Sequence, residues 1–282
     1  MRSLKSILPM VFALSSLALA QGNFTQIDFP GAYSTQPMGI DKAGDISGWY
    51  QDENVHGFVY HNGTYTSVDY PGSSGGTLLF GMNDNGQIVG EWNDEVGFIY
   101  NMNTQTFTTI SYPKANPTYP YAINNAGVVV GQVDIDASLE GFAMKGKQHM
   151  LIEPPGTTVG TAIGISTSGR IVGFASDPTG NLEFEYANGQ YAQVNVGDSP
   201  TQVHGINPAG TALVGTFVDR HGDFVGFIYN GKKLVPLQYE SGAQTTASAM
   251  NSAGQVVGTY SFVGAESVHG FLWSPPNEAT KY

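Results

Sequence analysis

Short runs of alternating apolar and polar residues follow one another along the chain, and turn-forming Gly, Asn and Pro separate them. The runs come in groups of four, which we name strands A to D. Strand A ends in Gly-Ile-Asn or a variant, strand B is a Gly-x-Ile-Val-Gly run, and strand C is a Gly-Phe-x-Tyr run. Strand D is typified by residues 65–70 and is usually followed by Pro. A period of two favours β-strands, and no stretch has the 3.6-residue period of an amphipathic helix. The pattern predicts an all-β protein.

The segment that joins strands A and B recurs six times, at residues 39–48, 81–90, 122–131, 164–173, 205–215 and 249–258. Successive copies start 42, 41, 42, 41 and 44 residues apart, and the fifth copy has one extra residue. Four antiparallel strands in about 42 residues is the size of a propeller blade. The repeat therefore predicts a six-bladed β-propeller of four-stranded antiparallel blades.

The two ends of the chain predict how the ring closes. The sixth unit ends after strand C, at residues 270–273, and has no strand D. Residues 24–31 near the N-terminus match the strand D pattern of residues 68–72. We therefore expect the N-terminal strand to join the last blade, which removes an exposed sheet edge. An open stack of the same sheets is the alternative.

Asn-Gly pairs occur between strands C and D in three units, at Asn62-Gly63, Asn188-Gly189 and Asn230-Gly231. Both residue types tolerate a left-handed backbone, so all three pairs predict tight two-residue hairpins.

Residues 1–20 have the pattern of a signal peptide. Arg2 and Lys5 precede an apolar stretch at residues 7–19, and Ala18-Leu19-Ala20 is a small-residue cleavage site. We expect a mature chain from about Gln21, with residues 21–282 forming a single propeller domain that is secreted or periplasmic. No later apolar run reaches the roughly 18 residues of a membrane span.

Composition narrows the function classes. Cysteine is absent, which excludes disulfides, thiolate metal sites and cysteine nucleophiles. Residues 21–282 hold 23 acidic and 9 basic residues, a net charge of −14. Nucleic-acid binding needs a patch of Lys and Arg, so we expect no nucleic-acid partner.

The repeat resembles the extracellular repeats of the HAF family, which are found mainly in bacteria. The resemblance is carried by Gly-Ile-Asn-x-x-Gly-x-Ile-Val-Gly followed by His-Gly-Phe-x-Tyr/Trp, best preserved at residues 56–60 and 269–273. Val96, Glu140 and Val225 replace the His in other copies, and the fourth copy is degenerate at residues 183–186. The resemblance covers nearly all of residues 21–282. It implies an exported repeat protein and carries over no catalytic residues.

Loop chemistry indicates where a ligand would bind. If strand A runs from an upper to a lower face, the short, regular A–B and C–D turns lie on the lower face. The variable B–C and D–A loops then share the upper face, where binding usually evolves on repeat scaffolds. We expect an upper-face site formed by Tyr33, Asp52, Asp94, Tyr119, Asp177, His204, Asp219, Arg220 and His221. Five of the polar residues of one blade come close together in sequence and form the most polar part of the chain: His204, Asp219, Arg220, His221 and Asp223.

Two polar positions recur with the repeat, and each has two interpretations. Asp follows strand B in five units. It could hold Ca²⁺ or a sugar hydroxyl, or its side chain could simply form the turn. A Ca²⁺ site would need about six oxygen ligands. Thr recurs near the start of strand A and could line the central channel or bond backbone groups. The two sets are Asp52, Asp94, Asp134, Asp177 and Asp219, and Thr35, Thr77, Thr118, Thr201 and Thr245. No other cofactor is expected.

Six near-identical units contain no unique catalytic constellation. We therefore expect a non-catalytic module that binds polysaccharide or another exported protein. The alternatives are a polysaccharide lyase or hydrolase on a propeller scaffold, with a loop carboxylate and a His as acid and base, and a purely structural surface module. The oligomeric state stays open.

Overall fold

The computed structural model describes residues 22–73, 75–94, 96–177, 180–197 and 200–276, excluding the side chain of Asp177. These residues form six four-stranded antiparallel sheets and no helix, in the closed ring of a six-bladed β-propeller, as predicted. The predicted signal peptide, residues 1–20, lies outside the described residues.

The blades follow the chain. Blade 1 consists of β2 (Ser34–Ile40), β3 (Ile46–Gln51), β4 (Val55–His61) and β5 (Thr64–Val68). Blade 2 consists of β6 (Thr77–Met82), β7 (Gln87–Trp92), β8 (Val96–Asn101) and β9 (Thr106–Thr109). Blade 3 consists of β10 (Thr118–Ile123), β11 (Val129–Ile135), β12 (Ser138–Lys145) and β13 (Gln148–Ile152).

Blade 4 consists of β14 (Val159–Ile165), β15 (Ile171–Asp177), β16 (Gly180–Ala187) and β17 (Gln190–Gln193). Blade 5 consists of β18 (Thr201–Ile206), β19 (Leu213–Val218), β20 (Phe224–Tyr229) and β21 (Leu234–Leu237). Blade 6 consists of β22 (Ala243–Met250), β23 (Val256–Phe262), β24 (His269–Ser274) and, as its outer strand, β1 (Asn23–Gln26).

The ring closes as the chain ends predicted. The N-terminal strand β1 pairs antiparallel with β24, and Phe24 lies opposite Trp273. Asp28, just after β1, accepts hydrogen bonds from His269 Nδ1 (2.7 Å) and from the backbone N–H of Gly270 (3.0 Å). The β1–β24 pairing, which we call the closure seam, therefore joins the two chain ends through both backbone and side chains.

A glycine–phenylalanine pair explains why the repeat keeps both residues. The last Gly of each strand B lies directly opposite the Phe of strand C, which is at most 1% exposed. A side chain on this Gly would overlap both the Phe ring and a carbonyl oxygen of strand A. The six pairs are Gly48–Phe58, Gly90–Phe98, Gly131–Phe142, Gly173–Phe184, Gly215–Phe227 and Gly258–Phe271. The ring covers the bare backbone, so each blade is closely packed.

The core lies between the blades. One cluster of buried apolar residues fills each of the six blade-to-blade interfaces, including that between blades 6 and 1. The recurring Thr near the start of strand A binds backbone inside this core. In four blades its Oγ1 accepts a hydrogen bond from a backbone N–H of the preceding D–A segment: Thr35, Thr77, Thr118 and Thr245. For these four, the backbone-bonding interpretation is the observed one.

The A–B turns form a second set of contacts between blades. Asn83, Asn124 and Asn251 use Oδ1 to accept two N–H groups of their own turn. Their Nδ2 groups donate to a carbonyl of the next turn around the ring: Asn83 to Asn124 (2.9 Å), Asn124 to Ser166 (3.0 Å), and Asn251 to Asp41 (2.9 Å). We call each of these bonds an amide latch.

Two of the three predicted Asn-Gly hairpins have the expected left-handed pair, with φ of 49° and 80° at Asn62-Gly63 and 52° and 77° at Asn188-Gly189. The prediction was wrong for Asn230-Gly231, where only the Gly has positive φ. There the hairpin has four loop residues, and Asn230 Oδ1 accepts the N–H groups of Lys232 and Lys233 instead.

Candidate ligand-binding channel

The innermost strand of every blade carries a β-bulge at the same level. Pairing with strand B shifts register between Pro37 and Gly39 in blade 1, and at the corresponding position in the other five blades. A bulge inserts an extra residue and re-aims its side chain. The bulge residues all line the central channel: Met38, Phe80, Tyr121, Ile163, His204 and Ser248.

The channel has a volume of about 620 Å³, within the range of small-molecule sites. Its wall differs between the two halves of the ring. Blades 2 to 4 contribute a mainly apolar wall of Phe80, Tyr121, Leu139, Val159, Ile163 and Phe174, together with Gln132 and Thr161. Blades 5, 6 and 1 contribute a mainly polar wall of Gln36, Gln202, His204, Thr246, Ser248 and Thr259, together with Met38 and Val203. We call these two surfaces the apolar wall and the polar wall. An apolar belt of Ile40, Met82, Ile123, Ile165, Ile206 and Met250 lies below both.

The polar wall retains unused hydrogen-bonding capacity. In the described part of the chain, the side chains of Gln36, Gln202, Thr246 and Ser248 have no hydrogen-bond partner, whereas Gln132, on the other half of the ring, donates to Thr161 and Gly160. A channel with free donors and acceptors on one side and aromatic rings on the other suits a ligand of matching two-sided character.

His204 is the titratable group of the polar wall. Its Nδ1 lies 3.1 Å from the carbonyl oxygen of Ala247 in the next blade. A carbonyl can only accept, so Nδ1 carries the hydrogen in the neutral ring and Nε2 is left as an acceptor. Burial lowers the pKa of His204, although the bond to Ala247 opposes this shift. His204 is therefore a neutral acceptor in the channel at neutral pH.

The structure separates the members of the predicted polar cluster. His204 lies on the channel wall in β18, whereas Asp219, Arg220 and His221 form the B–C turn of blade 5 at the upper rim. Asp219 Oδ1 accepts the N–H groups of His221 (2.7 Å) and Asp223 (3.0 Å), and Arg220 Nε donates to His221 Nε2 (3.0 Å). Backbone hydrogen bonds lower the pKa of Asp219 despite an opposing desolvation effect.

The other predicted site residues lie around the upper rim. Asp52 accepts the N–H of Asn54 within its turn, and Asp94 has a left-handed backbone with φ of 55°. Tyr33 is 54% exposed in a D–A loop, and Tyr119 is half-buried on the inner strand β10. Asp177 is the last residue of β15. The turn-forming interpretation of the recurring Asp therefore fits the hydrogen bonds of Asp52 and Asp219.

The best-preserved repeat copies place His56 and His269 in the same contacts. His56 Nδ1 bonds Asp69 (3.0 Å), and its ring stacks on Tyr50 at a centroid distance of 5.2 Å. His269 bonds Asp28 and stacks on Tyr260, also at 5.2 Å. Both rings link strand C to the end of strand D.

Two carboxyl groups that are shielded from solvent, the buried Glu91 and the half-buried Glu183, were not predicted from the sequence. Glu91 is 6% exposed, and its Oε2 has no hydrogen-bond partner in the described part of the chain. Burial, reinforced by the nearby Asp94, raises the pKa of Glu91 to about 7. Glu183 accepts the N–H of Val203 (2.7 Å), and burial raises its pKa to about 7. A signal for Glu91 existed: it occupies the position after the strand B glycine, where blades 3 and 4 have Gln132 and Phe174.

The described residues contain no group of three or more His, Asp or Glu side chains placed to hold a metal ion. Nor does any helix long and apolar enough to cross a membrane occur in the parts of the chain that the structure covers.

Fold and channel define the class of protein: a six-bladed β-propeller with a ligand-sized central channel. No family model and no curated protein matches the sequence. Solved structures do match. TolB from Acinetobacter baumannii is 10% identical with a TM-score of 0.58, over 83% of this chain and 67% of TolB. The β-propeller domain of the Trilobed protease from Pyrococcus furiosus, described as having an open velcro topology, is 12% identical with a TM-score of 0.58, over 89% of this chain and 84% of that one.

An oligogalacturonate lyase in complex with manganese is 9% identical with a TM-score of 0.55, over 92% of this chain and 99% of the lyase. Identities this low show a shared fold and nothing about a shared ligand or reaction.

Proposed function

We propose that this chain is an exported binding protein without a catalytic role, and that its central channel binds a short, neutral sugar chain such as the end of a polysaccharide. The observation that carries the proposal is the two-sided channel wall. A pyranose ring has apolar C–H faces that stack on aromatic rings and hydroxyl edges that need donors and acceptors. The apolar wall supplies the rings of Phe80, Tyr121 and Phe174, and the polar wall supplies amides, hydroxyls and the Nε2 of His204.

The expected neutrality of the ligand follows from charge. Of the described residues that line the channel, Asp84 is the one acidic side chain; Lys and Arg are absent from them. Asp84 belongs to a lower A–B turn, where it accepts the N–H of Lys42 and a bond from Asn125 Nδ2. An ionic ligand would lose its hydration without gaining a counter-charge, which is costly in a partly enclosed site.

Export is supported by the signal-peptide pattern of residues 1–20 and by the resemblance to the HAF repeats. Binding is favoured over lyase or hydrolase chemistry because His204 bonds a backbone carbonyl rather than a carboxylate. An acid–base pair needs a second titratable group within reach of the same substrate atom.

Calorimetric titration of residues 21–282 with cellotriose, xylotriose, maltotriose and trigalacturonic acid tests the proposal. At least one neutral trimer should bind, the acidic trimer should not, and no probe should be cleaved. A ligand at one hundred times its Kd should also stabilise the fold by about 2.7 kcal/mol.

Ser248→Trp fills the channel at the bulge level and should abolish binding, whereas Tyr33→Ala at the outer rim should not. His204→Leu, a smaller change, should weaken binding roughly tenfold through loss of one buried acceptor. Binding that survives both channel variants, preference for the acidic trimer, or no binding by any neutral trimer would overturn the proposal.

A further inference from the structure

The loops of the two faces carry opposite charge. Among the described residues, the B–C and D–A loops of the upper face hold eleven acidic residues against Lys114 and Arg220: Asp28, Asp52, Glu53, Asp69, Asp94, Asp136, Glu153, Asp219, Asp223, Glu240 and Glu266. The A–B and C–D turns of the lower face hold Asp41, Asp45 and Asp84 against Lys42, Lys147, Arg170, Lys232 and Lys233. Solubility requires net charge but not this separation, so the separation needs its own explanation.

The same upper face exposes large apolar side chains. Of six exposed large apolar residues in the described chain, only Met150, on the outer strand β13, lies away from this face. Four belong to the consecutive blades 5, 6 and 1: Phe224 (52% exposed), Phe262 (37%), Val263 (82%) and Tyr33 (54%). We call these four residues the apolar arc.

Contacts between neighbouring segments connect the parts of the chain that carry the apolar arc. The backbone N–H of Phe224 in blade 5 donates to the side chain of Gln244 in blade 6, 2.7 Å away, and Gln244 also bonds Asp223. Gln244 pairs with Ser261, the neighbour of Phe262. On the other side, Val268 of blade 6 forms a bridge with Ser34, the neighbour of Tyr33. The four apolar side chains therefore lie on connected segments of three consecutive blades.

Carboxyl groups crowd one another on this face. Glu153, close to Glu140, and Glu91, close to Asp94, both have a pKa raised by burial and by the neighbouring carboxylate. Cations that relieve such repulsion are scarce there, since Lys114 and Arg220 are the only described basic residues of the upper loops. The charge of this face is therefore uncompensated within the described chain.

From the apolar arc and the acidic loops that surround it, we infer that the upper face docks a basic, aromatic-containing segment of another protein. The apolar arc receives the large side chains, and the acidic loops pair with Lys and Arg and steer the encounter. This surface is separate from the channel, so the inference does not depend on the sugar-binding proposal.

Fluorescence anisotropy with a labelled twelve-residue peptide of alternating Lys, Trp and Leu tests the inference on residues 21–282. The peptide should bind, its counterpart with Glu in place of Lys should not, and raising the salt from 50 to 200 mM should weaken binding roughly tenfold. Equal binding of both peptides, or none of the basic one, would overturn the inference.

Matched variants locate the surface. Phe224→Ser with Val263→Ser should weaken binding at least roughly tenfold, whereas Met150→Ser, at an exposed apolar residue away from this face, should not. Glu240→Gln with Glu266→Gln should weaken binding, whereas Gln148→Lys with Gln190→Lys, which adds the same net charge on the lower side, should have a smaller effect. Unchanged binding by the arc variants, or sedimentation showing that a second copy of this chain occupies the arc, would contradict it.

Discussion

Blade 1 lacks the amide latch, and restoring it should stabilise the propeller. Asp41 occupies the position of Asn83, Asn124 and Asn251, and its Oδ1 accepts the N–H groups of Ala43 (2.8 Å) and Asp45 (2.9 Å) just as the Asn residues do. Its second oxygen is a carboxylate oxygen and cannot donate to the carbonyl of the next turn. Asp41→Asn keeps the acceptor, adds the missing donor toward Asn83 and removes a buried charge.

One buried hydrogen bond contributes about 1 kcal/mol, and removal of the charge adds to it. We expect Asp41→Asn to stabilise the fold by about 1–2 kcal/mol at pH 7, which raises Tm by about 2–4 °C per kcal/mol in a domain of this size. Burial raises the pKa of Asp41, and the Asp45 and Asp84 carboxylates add to the shift. The folded state therefore holds this proton more tightly than the unfolded state, and the contribution of Asp41 to stability falls as the pH rises through the carboxyl range.

The gain from Asp41→Asn should accordingly be largest at neutral pH and should shrink below a pH of about 4, where Asp41 is protonated and can itself donate. Calorimetric melts from pH 3 to pH 8 measure this directly. Asn124→Asp is the reverse change in an intact latch and should cost about 1–3 kcal/mol at pH 7. A gain from Asp41→Asn that grows toward low pH, or none at pH 7, would refute the reasoning.

Three further changes test other contacts. Gly215→Ala should lower the free energy of unfolding, measured in urea, by about 2–4 kcal/mol, because the new methyl group overlaps a strand A carbonyl and the Phe227 ring. A loss below about 1 kcal/mol would contradict the packing argument. Glu91→Gln should stabilise the fold by roughly 2–3 kcal/mol above pH 7 but little at pH 4, since the folded pKa of about 7 exceeds the ordinary 4.5. A difference in Tm between wild type and variant that does not change with pH would argue against it. His269→Ala should speed hydrogen exchange in Asn23–Gln26, whereas His56→Ala, with the same contacts away from the closure seam, should not; equal exchange in both variants would show that His269 does not hold the seam.

The sequence was a sufficient guide to the blades because their packing repeats. The Gly of strand B and the Phe of strand C recur in register and make the same contact in all six blades, whereas the Asn of the A–B turn forms the amide latch in three. Ring closure was predictable for the same reason, since a missing strand D at one end matched an extra one at the other. Where a prediction failed, at Asn230-Gly231, the flanking Lys232 and Lys233 lengthen the loop, and a longer loop removes the need for two left-handed residues.

The channel was not predictable because its wall depends on a feature that spacing does not reveal. A bulge is a property of how strands A and B pair, and in sequence its residue is simply the variable position before Gly or Ala. Glu91 stands out in sequence only by comparison with the same position of blades 3 and 4, which have Gln132 and Phe174, and nothing in its own strand marks it as buried.

Variation among the six copies separates packing from binding within a single chain. The positions that hold the blades together vary little: strand B holds a Gly opposite the Phe of strand C in all six copies. The bulge position has none of this uniformity, since its six occupants are Met, Phe, Tyr, Ile, His and Ser. All six share one level of one channel, and none of the blades requires its particular side chain for the contacts that the repeat preserves. The bulge ring is therefore the level of the channel whose chemistry varies from blade to blade, and under the sugar-binding proposal we expect it, more than the rim loops, to set ligand specificity.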